Sequence, residues 1–385
     1  MTRKEFDAGY ARQAGVMEDA GHMLESWGER AVKTGRMQTF VMKRIGEVGM
    51  MEKPIPTPGP NDAIIKTTAA LICTSDAHTV GGAIGERKNI TLGHEAVGII
   101  YKLGSEVKGF REGDRVAVNA ITPCYQCENC LRGYTSQCTQ MLGGWKFANV
   151  KDGNLAEYFH VNNAIANLAP IPKSLRDDQA VYCCDMLSTG FIAAENAHIP
   201  LGGTVAIFAQ GPVGLMATVG ARLLGAGMVI VVESVRRRKE LAAHYGADVI
   251  VDFNELDPIS TILEWTGGLG VDSAIEALGS PGTFEACVKV TRPGGTISNV
   301  GYHGHGEYVP LPRVDWGVGM SDKVIRTALC PGGAERMKRL MRLIEAGRVD
   351  PTLLTTHRFP FDEVEKAFHL MQTKEEGILK PLILF

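Results

Sequence analysis

Between Cys73 and Glu95 the chain gathers a thiol, two imidazoles, a hydroxyl and a carboxylate, in Cys73-Thr74-Ser75-Asp76-Ala77-His78 and in Leu92-Gly93-His94-Glu95. Thiolate, imidazole and carboxylate are the ligand types of a catalytic zinc site, which takes three of them and keeps a fourth position for water or substrate. Cys73 and His94 supply two of the three. Alone they are weak evidence, because a single buried cysteine is ordinarily a small apolar residue and a histidine after glycine is ordinarily a loop residue. A second group is more specific. Cys124, Cys127, Cys130 and Cys138 form Cys-x2-Cys-x2-Cys-x7-Cys in a turn-rich stretch, and four thiolates so spaced close a tetrahedral shell around zinc with no position left for chemistry. An iron–sulfur cluster is the alternative occupant. A nucleic-acid-binding zinc ribbon is disfavoured by the scarcity of Lys and Arg in that loop.

The third chemical signal is Ala209-Gln210-Gly211-Pro212-Val213-Gly214, which follows an apolar strand and opens an apolar helix near Val213. A dinucleotide turn needs a tight bend, a residue without a side chain where backbone meets pyrophosphate, and a small residue where helix meets strand. Gly211 and Gly214 fill the second and third roles. Ala209 stands in for the first glycine, which a tight turn tolerates if its φ stays negative. Helix amides and the helix dipole then hold the pyrophosphate. Glu233, at the end of the next strand, is placed to accept hydrogen bonds from a ribose 2′-hydroxyl and to repel a 2′-phosphate, which favours NAD over NADP. Arg236-Arg237-Arg238-Lys239 is the counter-indication, and such a run is more often the solvated face of a helix.

These groups need elements to position them. At 385 residues the chain exceeds what one hydrophobic core usually serves, so two domains are expected. Residues 1–36 read as a separate helical extension with Phe6, Tyr10, Met17, Leu24, Trp27 and Ala31 on one face, packed on its own body or on a neighbouring subunit. Residues 37–187 carry short apolar runs broken by Gly and Pro, the texture of a β-rich domain. Strands alternate with helices in the following region, which implies a parallel sheet. Strands are expected at Thr204–Phe208, Met228–Val232, Asp248–Val251, Val271–Ala277, Gly295–Val300 and Val324–Leu329. A periodic helix around Met337, Leu340, Met341 and Ile344 opens the last segment. The fold class is α/β, with the nucleotide domain over 188–329 and residues 330–385 returning to the first domain.

Charge is nearly balanced, 40 Lys and Arg against 43 Asp and Glu, so no basic field points to nucleic acid. No apolar run of about 18 residues could span a bilayer, and the start of the sequence lacks the apolar core of a secretory signal. Nine cysteines without such a signal argue for reduced thiols and metal in a cytoplasmic setting.

Taken together, the nucleotide turn, the four-cysteine lobe and the Cys73–Glu95 stretch resemble the zinc-dependent medium-chain alcohol dehydrogenases over about residues 37–385. Within that family, the Cys73–His78 and Leu92–Ala96 stretches, Gly144-Trp145-Lys146-Phe147, Tyr302-His303-Gly304 and Leu329-Cys330-Pro331-Gly332-Gly333 look closest to the bacterial secondary-alcohol dehydrogenases. The resemblance implies a GroES-like catalytic domain split around a Rossmann domain, a homotetramer, two zinc ions per chain and a small alcohol or ketone substrate. It also implies Asp185, in Cys183-Cys184-Asp185-Met186, as the third catalytic zinc ligand. Cys184 is the rival one residue away; adjacent residues of an extended strand face opposite ways, so both should not ligate. Glu95 is implied as a labile fourth ligand or a carboxylate behind the ligands. By the same resemblance, zinc acts as Lewis acid on the alcohol, Ser75 takes the hydroxyl proton, and the relay runs through the cofactor ribose to His78. Trp145, Tyr302, Leu329 and Cys330 are implied near substrate or nicotinamide. Three departures from the bacterial branch are visible: the intact four-cysteine lobe, the extra 36 residues, and Glu233, Val235 and Phe253 where the NADP-using members carry a small residue, an arginine and a tyrosine. A polyol or primary-alcohol dehydrogenase of the same fold, an NADP-linked enzyme, and a binding protein without turnover are the competing readings.

Overall fold

The computed structural model describes residue 31, residues 34–140, 151–304 and 306–385. The helical extension expected over 1–36 therefore lies almost wholly outside the described residues, as does Trp145. Ala31 is buried against Met37, Ile64, Ala156 and Tyr158.

Two larger sheets organise the chain. The first has seven strands, in the order Thr355–Pro360, Lys380–Leu384, Ala63–Leu71, Glu95–Leu103, Arg115–Val118 and Leu168–Pro170, with Tyr158–Val161 also pairing to Ala63–Leu71. The second is a six-stranded sheet in the order Val249–Val251, Met228–Val232, Thr204–Phe208, Val271–Glu276, Thr291–Asn299 and Val324–Thr327. All its neighbours run parallel, as expected from strands alternating with helices. A smaller sheet pairs Arg36–Arg44 with Glu47–Pro54 and Ile90–Thr91. Observed strand ends fall within a few residues of the expected ones. The sheet strand Thr291–Asn299 starts earlier than the apolar pattern indicated, because its first half carries Arg292, Pro293 and two glycines.

The periodic helix is Ala334–Glu345, and it buries Met337, Leu340, Met341 and Ile344. Each such apolar side chain contributes about 1.5–3 kcal/mol when fully buried. They pack with Leu187, Phe191, Leu215 and Met216, residues of the helices Met186–Asn196 and Pro212–Leu223, in one continuous core. Among the described residues no helix is long and apolar enough to cross a membrane.

Strand register explains why distant residues meet. Ala63–Leu71 runs antiparallel to Glu95–Leu103 with Leu71 opposite Glu95, and antiparallel to Lys380–Leu384 with Leu382 opposite Leu71. Cys73, His94 and Lys380 therefore emerge at the same end of three adjacent strands. Gly93 makes the bend that turns His94 inward: its φ is +89°, and a Cβ there would sit 2.5 Å from Cγ of Leu155.

Candidate active site

At that end of the sheet, one ligand-type atom each from Cys73, His94, Glu95 and Asp185 lies within 4.8 Å of the others. The fourth contributor arrives differently from the expectation. Asp185 is not on an extended strand: it is the N-cap of helix Met186–Asn196 with φ −138° and ψ −60°, and it follows the short 3-10 turn Val181–Cys183. The opposite-faces argument therefore does not apply. Cys184 is directed elsewhere by its helical backbone, and its thiol reaches the carbonyl of Ala96 at 3.4 Å. The backbone amide of Ala120 fastens the Cys184 carbonyl at 2.9 Å.

His94 is held from one side and open on the other. Its Nδ1 lies 3.3 Å from Oδ1 of Asp76, while Nε2 faces Oδ2 of Asp185 at 3.4 Å and Oε1 of Glu95 at 3.8 Å. Asp76 is buried, and its other oxygen accepts the Cys73 amide at 2.9 Å. A carboxylate behind a ligating imidazole fixes the tautomer that points a lone pair at a metal. The Thr189 hydroxyl donates to Oδ1 of Asp185 at 2.5 Å. Lys380, 1 % exposed, donates to Oε1 of Glu95, whose other oxygen has no hydrogen-bond partner among the described residues. None of Asp76, Thr189 or Lys380 was singled out from the sequence. Asp76 sits three residues after a helix N-cap, a place where acids commonly serve backbone amides. Lys380 had no signal at all, standing 285 residues from Glu95.

Electrostatics match that donor set. Burial works against a charged His94 ring, but Asp76 and Asp185 outweigh it and hold the imidazole well above its ordinary range. Burial would likewise raise Asp185, yet the hydrogen bond and charge of His94 bring it below the usual carboxylate value. Burial lifts Glu95 to about 7 against the opposing charge of Lys380, and Asp185 adds to the rise. A thiol, an imidazole and two carboxylates face one another here, with Asp76 and Lys380 behind them, a donor set that a divalent cation fits. Ser75 and His78 lie one turn apart on helix Thr74–Val80. The Ser75 hydroxyl is 3.4 Å from His94 Nε2.

The four cysteines of the lobe also converge, with one Sγ from each within 4.8 Å of the others. The amides of Gln126 and Cys127 donate to the Cys124 sulfur at 3.4 and 3.3 Å, and the Cys124 amide to the Cys138 sulfur at 3.3 Å. Amides aimed at sulfur favour thiolates. Backbone donors at Thr139 and Cys130 hold the Cys127 thiol down at about 5, while burial pushes Cys130 up.

At the nucleotide turn, Ala209 departs from the expectation. Its φ is +72°, not negative, so a residue with a side chain holds the left-handed bend at a cost of about 1–3 kcal/mol. At Gly214 a Cβ would lie 2.0 Å from the Ala209 carbonyl oxygen, so helix and turn approach too closely there for any side chain. Gly211 is the N-cap of Pro212–Leu223, no side chain caps that terminus, and nothing lies within 4 Å of where its Cβ would be. That leaves space for a pyrophosphate at the amides near Val213. Glu233, 4 % exposed, accepts the amides of Ser234 and Val235, both at 2.9 Å, and of Gln210 at 3.1 Å. Three residues of the basic run beside it are ion-paired with acids outside the run: Arg236 with Glu240, Arg238 with Glu233 itself and Lys239 with Asp252.

Tyr302 stacks at a tilt beside His78, ring centroids 5.9 Å apart. Cys330 is 2 % exposed and Leu329 40 %. Residues 59–173 match the alcohol dehydrogenase GroES-like domain family, and residues 212–346 match the zinc-binding dehydrogenase family. The chain is 51 % identical to the NADP-dependent isopropanol dehydrogenase of Thermoanaerobacter brockii over 90 % of its own length and 99 % of the relative's. The chain belongs to the zinc-dependent medium-chain alcohol dehydrogenase family. It is an oxidoreductase of that family, with the GroES-like and Rossmann parts expected from the sequence. An alcohol dehydrogenase of Cupriavidus necator is 44 % identical over 90 % of this chain and 98 % of its own. Among solved structures, alcohol dehydrogenase TADH from Thermus sp. ATN1 superposes with a TM-score of 0.82 at 29 % identity, covering 90 % of this chain and 99 % of its own. The zinc expectation accords with the family. The expected preference for NAD is not supported by these relatives, of which the first is named for NADP.

Proposed function

We propose that this dehydrogenase interconverts small secondary alcohols and ketones, with Cys73, His94 and Asp185 holding the catalytic zinc and Glu95 behind or beside them. The convergence of those four side chains within 4.8 Å carries the reading. Cys124, Cys127, Cys130 and Cys138 hold the second zinc. Bound there, the catalytic zinc supplies a Lewis acid that acidifies the alcohol hydroxyl, and the nicotinamide supplies a hydride acceptor. Ser75 accepts the hydroxyl proton, and His78, one turn along the same helix, passes it on, a task suited to an imidazole near neutral pH. Tyr302, Leu329 and Cys330 form the apolar wall that favours a compact secondary alcohol. Support for that substrate class comes from the relative named for isopropanol.

For the cofactor, Gly211, Pro212, Val213, Gly214 and Glu233 bind the dinucleotide, and the carboxylate at Glu233 supports NAD. NADP is the reading that the names of the relatives favour, and NAD is the second. Glu233→Gly decides between them: the ratio of kcat/KM with NADP to that with NAD should rise by about tenfold or more, the worth of roughly 1.4 kcal/mol of removed repulsion. A ratio that does not move removes Glu233 from cofactor choice.

We also place the domain boundaries near residues 37, 188 and 330; the gap between the two family matches, at 59–173 and 212–346, supports the one near 188, and the pairing of Lys380–Leu384 with Ala63–Leu71 supports the return of the last segment. A homotetramer is the proposed assembly. The sheet-edge strand Val324–Thr327 is exposed along its length, which supports self-association through that edge. Nine free cysteines support a reducing, cytoplasmic setting. The test of the whole reading is a metal count with steady-state rates on 2-propanol, ethanol and sorbitol using each cofactor. Two zinc per chain with 2-propanol preferred is the expected result, and a metal-replete protein that turns over none of the three would overturn it.

A further inference from the structure

The four-cysteine lobe is fastened beside the active site at the backbone of one residue, Gly332, from both its amide and its carbonyl. The Tyr125 hydroxyl donates to the Gly332 carbonyl at 2.9 Å, and the Gly332 amide donates to the Thr135 hydroxyl at 3.2 Å. Both side chains come from inside the lobe, Tyr125 between Cys124 and Cys127 and Thr135 between Cys130 and Cys138. Neither has a role in holding an ion. Tyr125 has φ +56°, a left-handed conformation that costs a bulky residue about 1–3 kcal/mol and persists where surrounding structure demands it. Here it aims the phenol at Gly332.

Two residues before Gly332, the buried Cys330 thiol lies 3.7 Å from Oδ1 of Asn119 and 3.8 Å from the carbonyl of Cys184. The intervening Pro331 carbonyl accepts the Ser188 hydroxyl at 3.2 Å. Cys184 directly precedes Asp185, and Ser188 directly precedes Thr189, whose hydroxyl holds the Asp185 carboxylate. The path from lobe to catalytic cluster is thus short: part-buried hydrogen bonds at Gly332, Pro331 and Asp185, joined by the buried contacts of the Cys330 thiol, form one connected network.

We propose that Tyr125 and Thr135 are positioning residues that couple the four-cysteine lobe to the active-site wall, holding Cys330 and the Asp185 end of the cluster through the Gly332 backbone. The inference rests on the functional reading above for what the wall does. An intact lobe then sets substrate fit, in addition to stabilising the chain.

The test uses the full chain with its zinc and the variants Tyr125→Phe and Thr135→Ala, with Glu128→Gln on the lobe surface as control. Iodoacetamide labelling is followed by peptide mass spectrometry, with the fully buried Cys183 as internal reference. Each variant should raise the Cys330 to Cys183 labelling ratio by about fivefold, the equivalent of one lost hydrogen bond. Zinc content and the cofactor Kd should stay unchanged. The ratio of kcat/KM for 2-pentanone to that for acetone should move by a similar factor. Thr135→Ser, which keeps the hydroxyl, should restore both ratios, and Thr135→Ala decides alone if Tyr125→Phe does not fold. An unchanged labelling ratio overturns the coupling, as does equal loosening of Cys330 and Cys183. Looser Cys330 with unaltered substrate selectivity overturns the role in the wall. Labelling needs no turnover, so a protein inactive on every alcohol counts against the functional reading and not against the coupling.

Discussion

His94→Ala is expected to lower kcat on 2-propanol at least about a thousandfold, because a Lewis-acid centre supplies several kcal/mol and each ~1.4 kcal/mol is a factor of ten. The ring is the one group in the cluster that faces Asp185, Glu95 and Ser75 at once, so no neighbour can take its place. Zinc content should fall from two per chain to one, since the four-cysteine lobe is built from other elements. Cofactor affinity, read by nucleotide fluorescence, should hold, because the turn at Gly211–Gly214 shares no residue with the cluster. A variant with unaltered kcat would sink the catalytic-zinc assignment.

Lys380→Met is expected to destabilise the protein by about 3–5 kcal/mol, the usual penalty for stripping the partner from a buried charge. Lys380 and Glu95 are 1 % and 0 % exposed, so water cannot replace the lost ammonium. The double variant Lys380→Met with Glu95→Gln should recover most of the loss, because it removes the orphaned charge as well. Denaturant unfolding of zinc-loaded and zinc-stripped protein provides the measurement. A single variant within about 1 kcal/mol of the parent, in both forms, would show that Glu95 is neutral in the fold and needs no counter-ion.

What the sequence reveals of this site depends on how local each signal is. The nucleotide turn was legible because strand, bend and helix follow one another within twenty residues and each leaves its own mark. Even there, the φ of Ala209 was misjudged, since a left-handed bend usually advertises itself with glycine. The four cysteines were legible because their side chains have few other reasons to cluster. Asp185 came only through family resemblance: it approaches from a helix N-cap that periodicity cannot reveal, and the extended backbone assumed for it does not exist. Asp76 was hidden in plain view between Ser75 and Ala77, where an acid reads as an ordinary helix-start residue. Lys380 was invisible, because only strand register, Leu382 against Leu71 and Leu71 against Glu95, carries it to the site. Glu233 was found at the expected strand end, with its carboxylate already accepting three backbone amides, a use that no spacing rule contains.

That register has a bearing on how the protein is made. Every residue of the catalytic cluster from Cys73 to Asp185 leaves the ribosome well before the strand that brings Lys380, so a nascent chain carries the Glu95 carboxylate with no cation beside it. Long-range strand closure is slow compared with local folding, so insertion of Lys380–Leu384 beside Ala63–Leu71 is the late step that gives the buried Glu95 carboxylate its ammonium partner.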